Sequence, residues 1–180
     1  MSLFVSNAVA ANPFFAEKQN QFGINLGQAF NSYALVFLPE MPVPFNSLEL
    51  HYSQPATFFR LPARQSVNFI QTLGYGNKYK HNVTEWHWRD YTVQIITIGW
   101  DFGILWTDKW YFGSGLSVGV QGKENKRIGT KYLSGFKLFT GWKFADNWRA
   151  ELTMQHYSNG STDPANFSYN FYELGVNYSF

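Results

Sequence analysis

Hydrophobic and polar residues alternate with a period of two along most of the chain. Side chains of a β-strand point to opposite faces in turn, so this alternation predicts strands with one apolar and one polar face. Each predicted strand is bounded by residues typical of turns or loops. The pattern marks eight segments: Gln21–Phe30, Ser47–Gln54, Gln65–Gly74, Tyr91–Leu105, Trp110–Gln121, Thr130–Phe144, Trp148–Ser158 and Tyr169–Phe180.

The last two segments flank a turn-rich loop, Asn159–Ser168. Each of the two has an apolar and a polar side. The apolar side of the seventh segment carries Trp148, Ala150, Leu152, Met154, His156 and Ser158. A histidine next to a hydroxyl is unexpected on an apolar face. His156 and Ser158 are therefore the first candidates for a functional site.

Composition favours a barrel that crosses a membrane with strands. Aromatic residues make up 20% of the chain and charged residues only 14%, and there are 15 glycines. No run of about 18 apolar residues is present, which excludes a transmembrane helix. Aromatic- and glycine-rich alternating segments are typical of transmembrane β-barrels, because only every second residue contacts lipid. We predict an all-β fold, an eight-stranded antiparallel up-and-down transmembrane β-barrel in the bacterial outer membrane.

The first residues differ from the rest of the chain. Ser2–Ala10 contains a short apolar stretch and ends in Ala8-Val9-Ala10, which resembles a signal-peptide cleavage site, although no basic residue precedes it. We interpret residues 1–10 as a signal-peptide remnant, with a disordered N-terminus as the alternative. Residues 11–180 then form a single barrel domain. The chain has no cysteine, which excludes disulfides and thiolate–metal sites.

The connections between segments differ in length in a regular way. Those after the first, third, fifth and seventh segments are mostly long and polar, and those after the fourth and sixth are tight turns. Outer-membrane barrels have long extracellular loops and short periplasmic turns. Both termini should therefore lie on the periplasmic side, and the loop after Ser158 outside. The connection Pro55–Arg64, with two prolines, is longer than this rule predicts.

The polar side of the segments should face the inside of the barrel. Eight strands leave an interior that side chains just fill, so we expect no pore. The alternation points six ionisable residues inward: Glu49, His51, Asp101, Lys137, Arg149 and Glu151. Buried charges need partners, because removing an unpaired ion from water is costly. We predict a salt-bridged plug, with an inner active site as the alternative.

The spacing of His156 and Ser158 suits nucleophilic catalysis. Two residues apart on a strand, their Cβ atoms lie about 6 to 7 Å apart on the same side. Histidine can take the seryl proton during attack on an ester, while a third group orients the imidazole ring. The resulting oxyanion needs fixed donors, and the Asn159-Gly160 turn offers backbone N–H groups. The alternative is an ordinary histidine in the aromatic girdle of a barrel.

Five stretches in the second half of the chain carry a family resemblance. They are I-G-W-D-F-G-I-L-W, W-Y-F-G-S-G-L-S-V-G-V, R-I-G-T-K-Y-L-S-G-F-K-L-F-T-G-W, H-Y-S-N-G-S-T-D-P-A-N and E-L-G-V-N-Y-S-F. From about Ile98 to Phe180 the chain closely resembles the outer-membrane lipid A 3-O-deacylases, also called acyloxyacyl hydrolases. The first half is similar only in general pattern. The resemblance implies an eight-stranded barrel with a His–Ser–acid site on its membrane-facing wall, which removes the ester-linked 3-position acyl chain of lipid A.

The resemblance also implies roles for single residues. Ser158 would be the nucleophile, His156 the base, and Asn159 with Gly160 the oxyanion-hole region. Asn166 matches an asparagine of the family in the same loop.

One position departs from the family pattern, because the residue at the place of the acid is Asn170. Its parity matches that of His156, so its amide could orient the ring without supplying a charge. Glu173 is the nearest carboxylate, but it points inward unless a bulge changes the register. The acid is therefore Asn170 acting as a neutral orienter, Glu173 through an irregularity, or missing. We favour Asn170.

Basic residues in the outer loops could contact the phosphates of lipid A. These residues are Lys78, Lys80, Arg89, Lys123, Lys126 and Arg127, of which we select Lys123, Lys126 and Arg127 as substrate-phosphate candidates. Solvated loop charge is the alternative. We expect lipid A, or lipopolysaccharide, and membrane lipids as partners. We expect no metal and no cofactor, and a net charge of +2 is too small to indicate nucleic acid.

Two hypotheses of other classes stay open. A non-catalytic eight-stranded outer-membrane barrel with a structural or adhesive role would share the architecture and differ only at the site. A soluble lipocalin-like barrel would have an apolar interior. It predicts that Leu152, Met154 and Tyr178 point inward.

Overall fold

The computed structural model describes residues 19–30, 32–33, 36–37, 45–75, 78–81, 84–87, 91–125 and 127–180. The predicted signal-peptide remnant, residues 1–10, lies outside the described residues. The strands are β1 (Gln21–Ala29), β2 (Ser32–Tyr33), β3 (Val36–Phe37), β4 (Phe45–Phe58), β5 (Leu61–Gly74), β6 (Lys78–His81), β7 (Thr84–His87), β8 (Gln94–Leu105), β9 (Trp110–Gln121), β10 (Tyr132–Ala145), β11 (Trp148–Ser158) and β12 (Tyr169–Ser179). Within these ranges, no helix is long and apolar enough to span a membrane.

Eight long strands form a closed antiparallel barrel, in the order β1-β12-β11-β10-β9-β8-β5-β4. Strand β1 pairs with both β12 and β4, which closes the sheet. The short strands β2 with β3 and β6 with β7 form two separate two-stranded sheets in the connections. The predicted fold class is confirmed, and the bounds of β9 and β11 agree with the predicted segments.

The connection Pro55–Arg64 is not a loop, which corrects the sequence interpretation. Strands β4 and β5 stay paired as far as Phe58↔Leu61, and only Phe59 and Arg60 form the turn. Both turn residues have positive φ, 47° and 68°, as in a type I′ hairpin turn. In such a hairpin, Pro55 and Pro62 each face a residue with which they exchange no backbone hydrogen bonds. The missing N–H of proline therefore breaks no hydrogen bond between the two strands.

The outer wall of the barrel is apolar. Outward-facing side chains such as Leu26, Leu152 and Leu174 are more than half exposed, at 65%, 53% and 66%. Tyr178 also points outward and is 38% exposed. The hypothesis of a lipocalin-like barrel is therefore wrong, because it requires Leu152 and Tyr178 inside. A wall of this kind matches the side that contacts hydrocarbon in a membrane barrel.

The barrel interior holds ion pairs and hydrogen-bonded polar groups around buried carboxylates. Lys137 Nζ lies 2.9 Å from Asp101 Oδ2, and His51 Nδ1 lies 3.2 Å from Glu49 Oε1. Asn25 Nδ2 donates to the same Glu49 oxygen at 2.9 Å. The Lys137–Asp101 pair and the amide hydrogen bond to Glu49 offset part of the cost of burying these charges.

Arg64 joins this network from the hairpin that the sequence pattern assigned to a loop. Its Nη2 atom lies 3.4 Å from Asp101 Oδ2 and 3.7 Å from Glu151 Oε2. Tyr111 donates its hydroxyl to Glu151 at 2.8 Å, and Arg149 lies over the Tyr111 ring. The predicted salt-bridged plug is confirmed.

Candidate active site

His156 and Ser158 lie at the end of β11, on the outer wall of the barrel. Both side chains are half-buried, whereas Tyr157 between them points inward and is 1% exposed. The alternation of β11 thus continues to its last residue. It places the imidazole and the hydroxyl on the side that carries the apolar residues of the wall.

The imidazole of His156 is oriented by Asn170. The two residues face each other across β11 and β12, and His156 Nδ1 lies 2.7 Å from Asn170 Oδ1. Asn170 is only 1% exposed, which restricts the motion of its amide. An amide oxygen at this position can only accept, so it favours the neutral tautomer with the proton on Nδ1 and a free lone pair on Nε2. A general base needs this tautomer.

Glu173 does not contact this site. The pairing of β11 with β12 runs without a bulge from Trp148↔Tyr178 to Tyr157↔Tyr169, so Glu173 faces the interior. It is 1% exposed and accepts a hydrogen bond from Ser47 Oγ at 2.8 Å. The hypothesis that an irregularity brings Glu173 to His156 is wrong.

The loop after β11 is built around the side chain of Asn159, which is fully buried. Asn159 Nδ2 donates to the carbonyls of Asp163 and Ala165 at 3.1 and 3.0 Å, and Oδ1 accepts from Ser161 N at 2.9 Å. The backbone N–H of Asn159 donates to Asn166 Oδ1 at 3.2 Å. These bonds engage Asn159 within the loop and fix the path of the chain beside Ser158.

Gly160 supplies a backbone donor to the Ser158 hydroxyl. Its N atom lies 3.4 Å from Ser158 Oγ. Its φ of +63° lies in the left-handed region, which glycine adopts without steric cost. The turn thus directs an N–H group toward the hydroxyl.

Ser134 on β10 also lies at the site, although the sequence pattern did not indicate it. It faces Ser158 across the strand pair, with 3.4 Å between the two Oγ atoms. The outward parity of Ser134 could be read from the alternation. Its position opposite Ser158 depends on the register between β10 and β11, which the alternation leaves open.

The segment before β10 docks on the loop after β11. Arg127 Nε donates to Ser168 O at 2.6 Å, and Arg127 Nη2 donates to Phe167 O at 3.0 Å. Gly129 N donates to Ala165 O at 2.8 Å. A Cβ at Gly129 would collide with the Asp163 carboxylate, which would have to move away.

The docking of Arg127 corrects its assignment as a substrate-phosphate residue. The side chain is 4% exposed, and its guanidinium lies over the rings of Phe45, Tyr91 and Tyr169. Burial lowers the pKa of the Arg127 guanidinium from its ordinary value. Arg127 therefore holds two loops together and does not face a head group.

Of the other two substrate-phosphate candidates, the structure describes only Lys123. Lys123 is exposed in the connection between β9 and β10, and Lys126 lies outside the described residues. Within the described ranges, no group of three or more His, Cys, Asp or Glu side chains could hold a metal ion.

Known structures share the fold of this chain. The crystal structure of the outer membrane enzyme PagL matches with a TM-score of 0.58 and 11% identity, over 88% of this chain and 98% of that chain. OprH from P. aeruginosa matches with a TM-score of 0.53 and 16% identity, over 90% of this chain and 99% of that chain. Neisserial surface protein A matches with a TM-score of 0.52 and 13% identity, over 89% of this chain and 97% of that chain. At such identities these matches establish the fold alone.

Sequence comparison identifies the family. No curated protein sequence matches the chain. The family profile described as Lipid A 3-O-deacylase (PagL) matches residues 56–179, which extends the similarity well before Ile98. The predicted outer-membrane location is confirmed together with the barrel fold. The chain belongs to the lipid A 3-O-deacylase (PagL) family.

Proposed function

We propose that this protein hydrolyses the ester-linked acyl chain at the 3-position of lipid A, with Ser158 as nucleophile and His156 as general base. Family membership supports a lipid A deacylase role. The assignment of residues rests on the 2.7 Å contact between His156 Nδ1 and Asn170 Oδ1. His156 lies two residues before Ser158 on the outer wall.

The proposed reaction proceeds through an acyl-enzyme. Ser158 Oγ attacks the ester carbonyl carbon, and its proton moves to His156 Nε2. The carbonyl oxygen becomes an oxyanion, toward which the N–H of Gly160 is directed. The carbon–oxygen bond to the sugar then breaks, and His156 returns the proton to the leaving hydroxyl. Water, activated by the same imidazole, releases the fatty acid.

The surroundings of the site suit a substrate that lies in the membrane. Phe136 pairs with His156 on β10, and Met154 precedes His156 on the same face of β11. Both can contact an acyl chain. Lys123, exposed on a neighbouring connection, is the described candidate for a phosphate of the head group.

Mass spectrometry of lipid A from a host that lacks this activity tests the proposal. Expression of the wild-type protein should remove one 3-linked acyl chain, and Ser158→Ala should lower the rate by roughly 10⁴-fold or more. Ser114→Ala, which changes a half-buried serine on the outer face of β9, is the matched control and should remain active. Unchanged lipid A in the presence of correctly inserted wild-type barrel would support the non-catalytic alternative.

A further inference from the structure

Three polar groups converge at the end of β11. Ser134 Oγ and Gly160 N each lie 3.4 Å from Ser158 Oγ. Ser134 and Gly160 are also close to each other, because a Cβ at Gly160 would lie 3.6 Å from Ser134 Oγ. One donor from β10, Ser134, and one from the loop after β11, Gly160, thus flank the Ser158 hydroxyl.

The Ser134 hydroxyl is placed to donate into the site. Its cross-strand neighbour on β9 is Val118, which offers no polar side chain, whereas its neighbour on β11 is Ser158. In the structure the hydroxyl lies 3.3 Å from Ser158 O. Rotation about the Cβ–Oγ bond can redirect the same proton without moving the backbone.

Distances to the nucleophile agree with an oxyanion hole. Donors must lie about 2.7 to 3.1 Å from the oxyanion, which is joined to the attacking oxygen through a single carbon atom. Ser134 Oγ and Gly160 N, each 3.4 Å from Ser158 Oγ, fall within reach of that position.

We propose that Ser134 is a further catalytic residue, whose hydroxyl donates the second hydrogen bond to the oxyanion beside the N–H of Gly160. This inference rests on the proposed function. When Ser158 Oγ bonds to the ester carbon, the π electrons move to the carbonyl oxygen. The Ser134 O–H and the Gly160 N–H then stabilise that charge without transferring a proton.

Kinetics of lipid A deacylation by the purified, refolded barrel tests this role. Ser134→Ala should lower kcat by roughly 10²- to 10³-fold with little change in KM. Ser134→Thr keeps the hydroxyl and should recover most of the rate, and Ser114→Ala should have no effect. Equal melting temperatures of the variants would show that the fold is intact.

Binding of an alkylboronic acid separates the catalytic role from a structural one. The trigonal boron accepts Ser158 Oγ while the seryl proton passes to His156, and the resulting tetrahedral boronate anion places a B–OH oxygen where the oxyanion would lie. Ser134→Ala should weaken this binding by roughly the factor by which it lowers kcat, and Ser134→Thr should restore it.

The outcomes distinguish the two proposals. If the wild type is active and Ser158→Ala is not, then an unchanged kcat in Ser134→Ala, or a loss that Ser134→Thr does not recover, overturns the role of Ser134 alone. If the wild type is inactive, the proposed function fails. Activity retained in Ser158→Ala and lost in Ser134→Ala would make Ser134 the nucleophile and overturn both.

Discussion

His156 Nδ1 lies 2.7 Å from Asn170 Oδ1, so an uncharged amide occupies the place where hydrolases of this type use a carboxylate. The amide can select the tautomer of the imidazole, but it cannot balance the charge of the imidazolium that forms during attack. The proposed base is therefore oriented by a neighbour that supplies no charge.

Asn170→Asp should raise kcat roughly tenfold or more. A carboxylate would accept the same Nδ1–H bond and would also stabilise the imidazolium that forms during attack. Rates of fatty-acid release, measured at saturating lipid A, check this outcome. Asn46→Asp adds the same charge on an exposed position of β4 and should have no effect. A lower rate in Asn170→Asp would contradict the neutral-orienter assignment.

Asp101→Ala should destabilise the barrel by about 3 to 5 kcal/mol, because it leaves buried cations without their partner. Asp101 Oδ2 lies 2.9 Å from Lys137 Nζ and 3.4 Å from Arg64 Nη2. Urea unfolding in lipid vesicles measures the change in free energy.

The double variant Asp101→Leu with Lys137→Met should be more stable than Asp101→Ala, since it removes both members of the closest pair. Asp108→Ala, in the exposed turn after β8, is the control and should change stability by less than about 0.5 kcal/mol. Equal stabilities of Asp101→Ala and Asp108→Ala would contradict the predicted importance of the plug.

Arg127→Lys should loosen the loop after β11 and lower kcat. Arginine donates to two carbonyls, Phe167 O and Ser168 O, from two different atoms, and an ammonium cannot reproduce this fork. The loss should amount to about 1.5 to 3 kcal/mol of loop docking. Limited proteolysis of the loop provides the measurement, and the exposed Lys131→Ala is the control. Unchanged cleavage would show that Arg127 does not hold the loop.

Arg60→Gly should stabilise the β4–β5 hairpin by about 1 kcal/mol. Arg60 has a φ of 68°, where glycine fits without the steric cost of a side chain. Gln54→Gly, at an exposed position within β4, should instead destabilise the barrel. Thermal unfolding of both variants compares the two effects, and a loss of stability in Arg60→Gly would contradict the type I′ assignment.

The alternation of side chains was sufficient to predict the barrel and the outward direction of His156, Ser158 and Asn170. The alternation failed at Arg64, because the two prolines near the hairpin turn indicated a loop. The strands tolerate these prolines because each lies in a pair of residues that exchange no backbone hydrogen bonds. Local sequence also could not distinguish a solvated loop arginine from the buried Arg127, whose partners lie about 40 residues away. The place of Ser134 required the register of a strand pair.

The position of His156 and Ser158 on the outer wall has a consequence for how the proposed enzyme meets its substrate. An ester held in the same leaflet arrives by two-dimensional diffusion, without first leaving the lipid. The reaction rate should then follow the mole fraction of lipid A in the surface and not its bulk concentration. The two products, the released fatty acid and the shortened lipid, are both formed in that same leaflet.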